Sequence, residues 1–215
     1  MRIEQPLGSR GSLKWIQRAV ARRPDLIQPP GLDPVSWLSP LADDNYAEYR
    51  DAAFLDRLEL GRLSAALAEF WPARGPQWDA LGRAGETVVL VEAKAHAAEF
   101  LTPRTRAGGK SLARIQAAFA AVQSDLGLAE RRDWTLHFYQ YANRLAHLWL
   151  LRRHGVDARL LFVSFLADDD PHINGPRSPE TWSTLFAAAD YVLGLPARHK
   201  LAPYVHHLYP DTALL

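Results

Sequence analysis

"VVLVEAKAH", residues 88 to 96, decides how this chain is read. Its valines and leucines fall on both alternating sets of positions, which marks a strand buried on two faces and therefore central in a sheet. Because side chains alternate along a strand, Glu92, Lys94 and His96 share the face of Val88 and Leu90. A carboxylate and an ammonium at the end of so apolar a strand are costly to bury unless they are paired or put to use.

Immediately upstream, "GPQWDALGRAGET" reads as a partner strand joined to this one by a turn at 82 to 85, with Asp79 on it beside Glu92 and Lys94. Two carboxylates converging from neighbouring strands make a hard oxygen site suited to Mg²⁺, with Mn²⁺ a reasonable substitute. A charged lysine beside such an ion cannot be a ligand. It is suited to orienting an attacking water and to stabilising negative charge on a phosphorane-like transition state.

The rest of the chain fits around this hairpin. "GSLKWIQRAVARRP" carries Leu13, Ile16, Ala19 and Val20 at helical spacing, with Ser12 as a possible N-cap and Pro24 as the stop. Residues 24 to 45 hold five prolines and read as an irregular segment crossing the surface. A long helix is expected over 45 to 70, with Leu60, Leu63, Ala66, Leu67 and Phe70 on its apolar stripe. After the hairpin come a helix over 111 to 125, another over 134 to 154 closed by Gly155, and the strand "ARLLFVSF". An acidic loop and a helix opened by Ser178 and Pro179 follow. The expected fold is α/β or α+β, a small mixed sheet flanked by helices, with 1 to 45 an extension, 46 to 195 the domain and 196 to 215 a packed tail.

Composition narrows the function. The 215 residues suffice for one domain with an ample core, and a net charge of +1 neither demands nor excludes a polyanionic partner. Cysteine is absent, which removes disulfides, thiolate nucleophiles and cysteine zinc sites. "MRIEQPLGSRGS" lacks the apolar core of a signal peptide and no run approaches the ~20 apolar residues of a membrane span, so a soluble cytoplasmic protein is expected. Lysine is rare, four against 21 arginines, and Glu92-Ala-Lys94 is the only acid-x-Lys in the chain.

These residues resemble the signature of the PD-(D/E)XK nuclease superfamily, an Asp near one strand end and a (D/E)-x-K on the next strand. "PQWD" to Asp79 and "VEAK" to Lys94 carry the resemblance, although Pro76 does not stand directly before Asp79. Element order over residues 46 to 166 agrees with it. The resemblance implies a restriction-endonuclease-like fold and Mg²⁺-dependent hydrolysis of nucleic acid, DNA in the first instance, with Asp79 and Glu92 on the metal and Lys94 activating water. A non-catalytic nucleic-acid-binding or scaffold module that keeps the fold is the alternative.

The superfamily often adds an acid from the preceding helix and a polar residue, frequently Gln, from a later one. Glu59 lies inside the apolar stripe of the expected helix and is the best-placed acid, with Asp56 and Glu48 in reserve; Gln140 is the matching polar residue. On that later helix, Asn143, Arg144 and His147 share the broad face of Gln140, and a solvated face is the simpler reading for them. His96 is expected to be structural. "AGGKSLARI" imitates the end of a P-loop, but Arg104 stands where its first glycine should be. The "ADDD" run at 167 to 170 and the pair His206-His207 read as loop and tail, and neither GxSxG nor HExxH occurs.

Overall fold

The computed structural model describes residues 1–170 and 175–215. Its elements in chain order begin with β1 (Arg2–Ile3), α1 (Gly11–Arg22), β2 (Ser36–Ser39), β3 (Glu48–Tyr49), α2 (Ala52–Arg57) and α3 (Ser64–Phe70). They continue through β4 (Ala80–Ala84), β5 (Thr87–Lys94), α4 (Ala97–Phe100), α5 (Gly109–Leu126) and α6 (Tyr139–Arg153). The last are β6 (Ala158–Ser164), α7 (Pro179–Leu193) and β7 (Val205–Leu208).

One five-stranded mixed sheet runs in the order β2-β4-β5-β6-β7, with β1 and β3 paired separately. β2, β4 and β5 are antiparallel neighbours, while β6 joins β5, and β7 joins β6, in parallel. β5 is thus the middle strand, and all of its residues are buried. Its two faces meet different partners. Val88 and Leu90 belong to the larger core with residues of α2, α3, α5, α6 and α7, whereas Val89, Val91 and Ala93 pack with Trp15, Ile16, Ala19 and Val20 of α1. The molecule is a mixed α/β protein with helices on both faces of its sheet. No described helix is long and apolar enough to cross a membrane.

Residues 45 to 70 differ most from the expected single helix. They form β3, α2 and α3, separated by Asp51 and Glu59, whose φ angles are 54° and 60°. At the end of α2 the Glu59 N–H donates to the Asp56 carbonyl and the Leu60 N–H to the Leu55 carbonyl, closing the helix with a left-handed residue of the kind usually supplied by glycine. The apolar spacing survives the break because Leu55, Leu60, Leu63 and Leu67 all still enter the larger core.

Smaller differences have equally local causes. The hairpin turn is tighter than expected: Gly82 lies within β4, opposite Val89 and Trp37, and the left-handed Gly85 makes the turn. A Cβ at Gly82 would stand 2.5 Å from Val35 Cγ1, so β2 can close on β4 only over a glycine. α6 starts later than expected because Asp133 Oδ1 accepts from the Thr135 N–H and hydroxyl, turning the chain before the helix begins. β2 and β7 were hidden as short edge strands, one among prolines and one carrying the two histidines. α1 starts without a side-chain cap, so Ser12 does not play the role expected of it; its hydroxyl donates to Glu99.

Candidate active site

The sheet leaves a cleft of about 490 Å³ at the C-terminal end of β5. β5 delivers Glu92 and Lys94 to it, the residue before β4 delivers Asp79, β3 delivers Glu48, and the first turns of α6 deliver Gln140, Asn143 and Arg144. The pleat explains the first pair. Continuing the face of Val88 and Leu90, Glu92 and Lys94 emerge where the larger core gives out against α6. Asp79 is held by its backbone, which donates to the Val91 carbonyl, and by its Oδ2, which accepts from the Ala93 N–H at 2.6 Å.

Glu92 is the hub. Its Oε1 accepts from Lys94 Nζ at 2.5 Å and its Oε2 from Arg144 Nε at 2.5 Å, with a further contact from Arg144 Nη2. Arg144 also donates to the Gln77 carbonyl at 2.7 Å and to Asn143 Oδ1 at 3.1 Å, and its guanidinium lies 4.8 Å from the Trp78 ring centre. Burial pushes the Glu92 carboxyl up, but Arg144 and Lys94 together outweigh it and hold Glu92 below the ordinary carboxylate range. Burial pushes Lys94 down, and the facing charges of Glu92 and Asp79 outweigh that too, so Lys94 remains firmly an ammonium. Lys94 Nζ also donates to Gln140 Oε1 at 3.1 Å, which leaves the Gln140 NH₂ group as the part a ligand could engage.

The other two acids sit differently. Burial, reinforced by Glu92 and Glu48, raises the Asp79 carboxyl well above its usual range even though part of its surface stays open on the cleft. Glu48 is 5% exposed, accepts from Gln77 Nε2 at 2.5 Å and Gln5 Nε2 at 3.2 Å, and is pushed up to about 7, chiefly by burial. Three carboxylates therefore sit close together with two buried cations, Lys94 and Arg144, while Arg74, Arg104 and Arg106 line the outer wall of the cleft. The local excess of buried carboxylates favours a proton or a cation placed between them.

That excess is the basis on which a divalent ion fits. Among the described residues no three His, Cys, Asp or Glu side chains form a ready ligand cage. Mg²⁺ does not need one, since it commonly takes one or two carboxylates and keeps several waters. Asp79 Oδ1 and Glu48 Oε1 have no protein partner among the described residues, whereas both oxygens of Glu92 are engaged by cations.

Asp79, Glu92, Lys94 and Gln140, expected at the site, do line the cleft together. Glu59 does not. Its side chain is 82% exposed and paired with Arg83 Nη1 at 3.2 Å, and Asp56 is exposed as well. The break in the expected helix removes Glu59, and Glu48, entering from β3, is the acid turned inward. The solvated face expected for Asn143, Arg144 and His147 is also overturned, because they are 5%, 4% and 1% exposed. Helical period locates a polar stripe but cannot tell a stripe facing water from one facing a buried charge; two acids, Asp79 and Glu92, converging on the single Lys94 were the available hint that a second buried cation should exist. His147 is one layer below the cleft among Trp71, Trp78, Phe54 and Phe70, and burial lowers it to about 3. His96 lies 3.4 Å from Glu99 and does not line the cleft. Lys110 and Ser111, in the P-loop-like run, open α5 on the surface.

No protein-family model, no curated protein and no solved structure matches the chain.

Proposed function

We propose that this cleft is the active site of a PD-(D/E)XK-like phosphodiesterase that hydrolyses the backbone of nucleic acid, DNA in the first instance, with Mg²⁺ or Mn²⁺. The observation that carries the reading is the convergence of Asp79, Glu92 and Lys94 on one cleft. Asp79, through its open Oδ1, and Glu92, through the remaining lone pair of Oε1, would hold the ion, with Glu48 in place of Glu59 as the third acid. When bound, the ion would polarise a phosphoryl oxygen and acidify a water.

The chain's own residues do the rest. Lys94, favoured in its charged form by Glu92 and Asp79, is suited to electrostatic stabilisation rather than to taking up a proton. Its ammonium, fixed by Glu92 and Gln140, orients water and offsets the charge that grows on the phosphoryl oxygens as the P–O bond to the leaving group breaks. Arg144 locks the Glu92 carboxylate in place from the opposite side of Lys94, so that Lys94 is pre-positioned before substrate arrives. The Gln140 NH₂ group is available to a non-bridging phosphate oxygen.

A second reading has its own observation. Both Glu92 oxygens are already engaged by cations, as in a purely structural ion-pair cluster, and this favours a nucleic-acid-binding module with no cleavage. Incubation of linear, circular, single-stranded and branched DNA with the protein in Mg²⁺, Mn²⁺ or EDTA separates the two. Cleavage in either metal and none in EDTA is expected; binding without cleavage in any metal would favour the module.

A further inference from the structure

A second hollow of about 410 Å³ adjoins the catalytic cleft and shares Arg104, Thr105 and Arg106 with it as a common wall. It shares Gln116 of α5, Asp133 and Thr135 with a third hollow of about 270 Å³, which Arg131 also lines. These shared residues set the three side by side, a trough of adjoining hollows that begins at the cleft.

Exposed arginines without a side-chain partner among the described residues occur elsewhere too, Arg62 among them, but three of them line this one row of hollows. Arg2, Arg23, Arg83, Arg152 and Arg159 each pair with an acid. Arg104, Arg106 and Arg131 are exposed and make no side-chain hydrogen bond or ion pair among the described residues. The acids nearby are already engaged, Asp133 with Thr135 and Glu130 with Arg132. Leu136, 43% exposed, adds an apolar patch to the second hollow. Unpaired guanidiniums beside an apolar patch, in line with a cleft read as a phosphodiester site, suit a phosphate backbone with its sugars or bases laid against the wall.

We infer that the trough carries a nucleic-acid strand beyond the scissile phosphate, and that Arg104 and Arg106 bind its backbone where the two hollows meet. The substrate is then an extended strand, not a short phosphodiester. This rests on the nucleic-acid reading of the cleft for the identity of the polymer, but on none of its chemistry.

The test is salt-dependent binding by the Lys94→Ala protein in EDTA, where nothing is cut. Labelled single-stranded and duplex DNA of roughly 20 nucleotides is titrated by anisotropy from about 50 to 200 mM salt. Removing two phosphate contacts with Arg104→Ala and Arg106→Ala should flatten the log–log slope by about 1.4 on a single strand or about 1.8 on a duplex. Each single variant should give about half of that change. Arg62→Ala, an exposed arginine outside the trough, should leave the slope unchanged. An unaltered slope in the double variant, an equal loss with Arg62→Ala, or no binding by the parent at the lowest salt would overturn the inference. Failure of metal-dependent cleavage with the slope change intact would instead remove the chemistry and leave the trough standing.

Discussion

The two faces of β5 are equally buried and could hardly differ more in content. One face, Val89, Val91 and Ala93, lies against α1 and is apolar throughout. The other begins with Val88 and Leu90 and ends with Glu92 and Lys94, both under 10% exposed, with Glu92 held between Lys94 and Arg144. A strand so placed would be at least as stable with apolar residues at all these positions, because desolvating charges costs as much as or more than their attraction returns. The difference teaches that burial alone does not call for charges at this end of the strand. In the proposed reading they serve phosphoryl chemistry at the cleft.

The harshest way to break the contrast is to remove its hub. Glu92→Gln leaves Lys94 and Arg144 buried without their counter-ion and should cost about 3–5 kcal/mol, read as a large fall in chemical-denaturation stability. A loss below about 1 kcal/mol would mean that the cluster is solvated in solution and that the two faces are not comparable. Next, Lys94→Ala should lower cleavage by about 10²–10³-fold with nucleic-acid affinity nearly unchanged, because the ammonium acts on charge that exists only in the transition state. Val91→Ala on the opposite face should do the reverse, costing on the order of 2 kcal/mol of stability while sparing the rate. Parallel loss of affinity and rate in Lys94→Ala would recast Lys94 as a phosphate clamp.

A milder effect should appear in the pH dependence of stability without metal. Glu48 is pushed up to about 7 from an ordinary 4.5, so the folded state holds its proton more tightly than the unfolded chain does. Its contribution is complete below about 4.5 and is lost as pH rises through about 7, an effect of about 3 kcal/mol. Melting temperature compared between the parent and Glu48→Gln should diverge across that window, and parallel curves would place Glu48 in contact with solvent. The smallest effect belongs to Glu59→Gln, which should change stability by less than about 0.5 kcal/mol and leave cleavage alone, as befits an exposed side chain.

How much of this could be read from the sequence follows from the range over which each signal acts. β5 and its hairpin were legible because alternation is a strictly local property, and it carried Asp79, Glu92 and Lys94 to the correct face. Gln140 came through the same helix that holds Arg144, yet Arg144 itself was read as solvated, because its partner lies 52 residues away. Glu48, a reserve acid on the sequence, ranked behind Glu59 because in residues 45 to 70 the leucines keep a nearly helical spacing across left-handed residues at Asp51 and Glu59. Neither residue type announces such a conformation in the way glycine would. β2 and β7 escaped because short edge strands need little apolar alternation once a central strand offers them a partner.

The central claim is that the charged end of β5 serves a divalent ion, and calorimetric titration of Mg²⁺ into the protein near neutral pH tests it most directly. The account predicts saturable binding in the parent, weakened at least tenfold in Asp79→Asn and untouched in Glu59→Gln. No binding in the parent, or equal binding in Asp79→Asn, would contradict it.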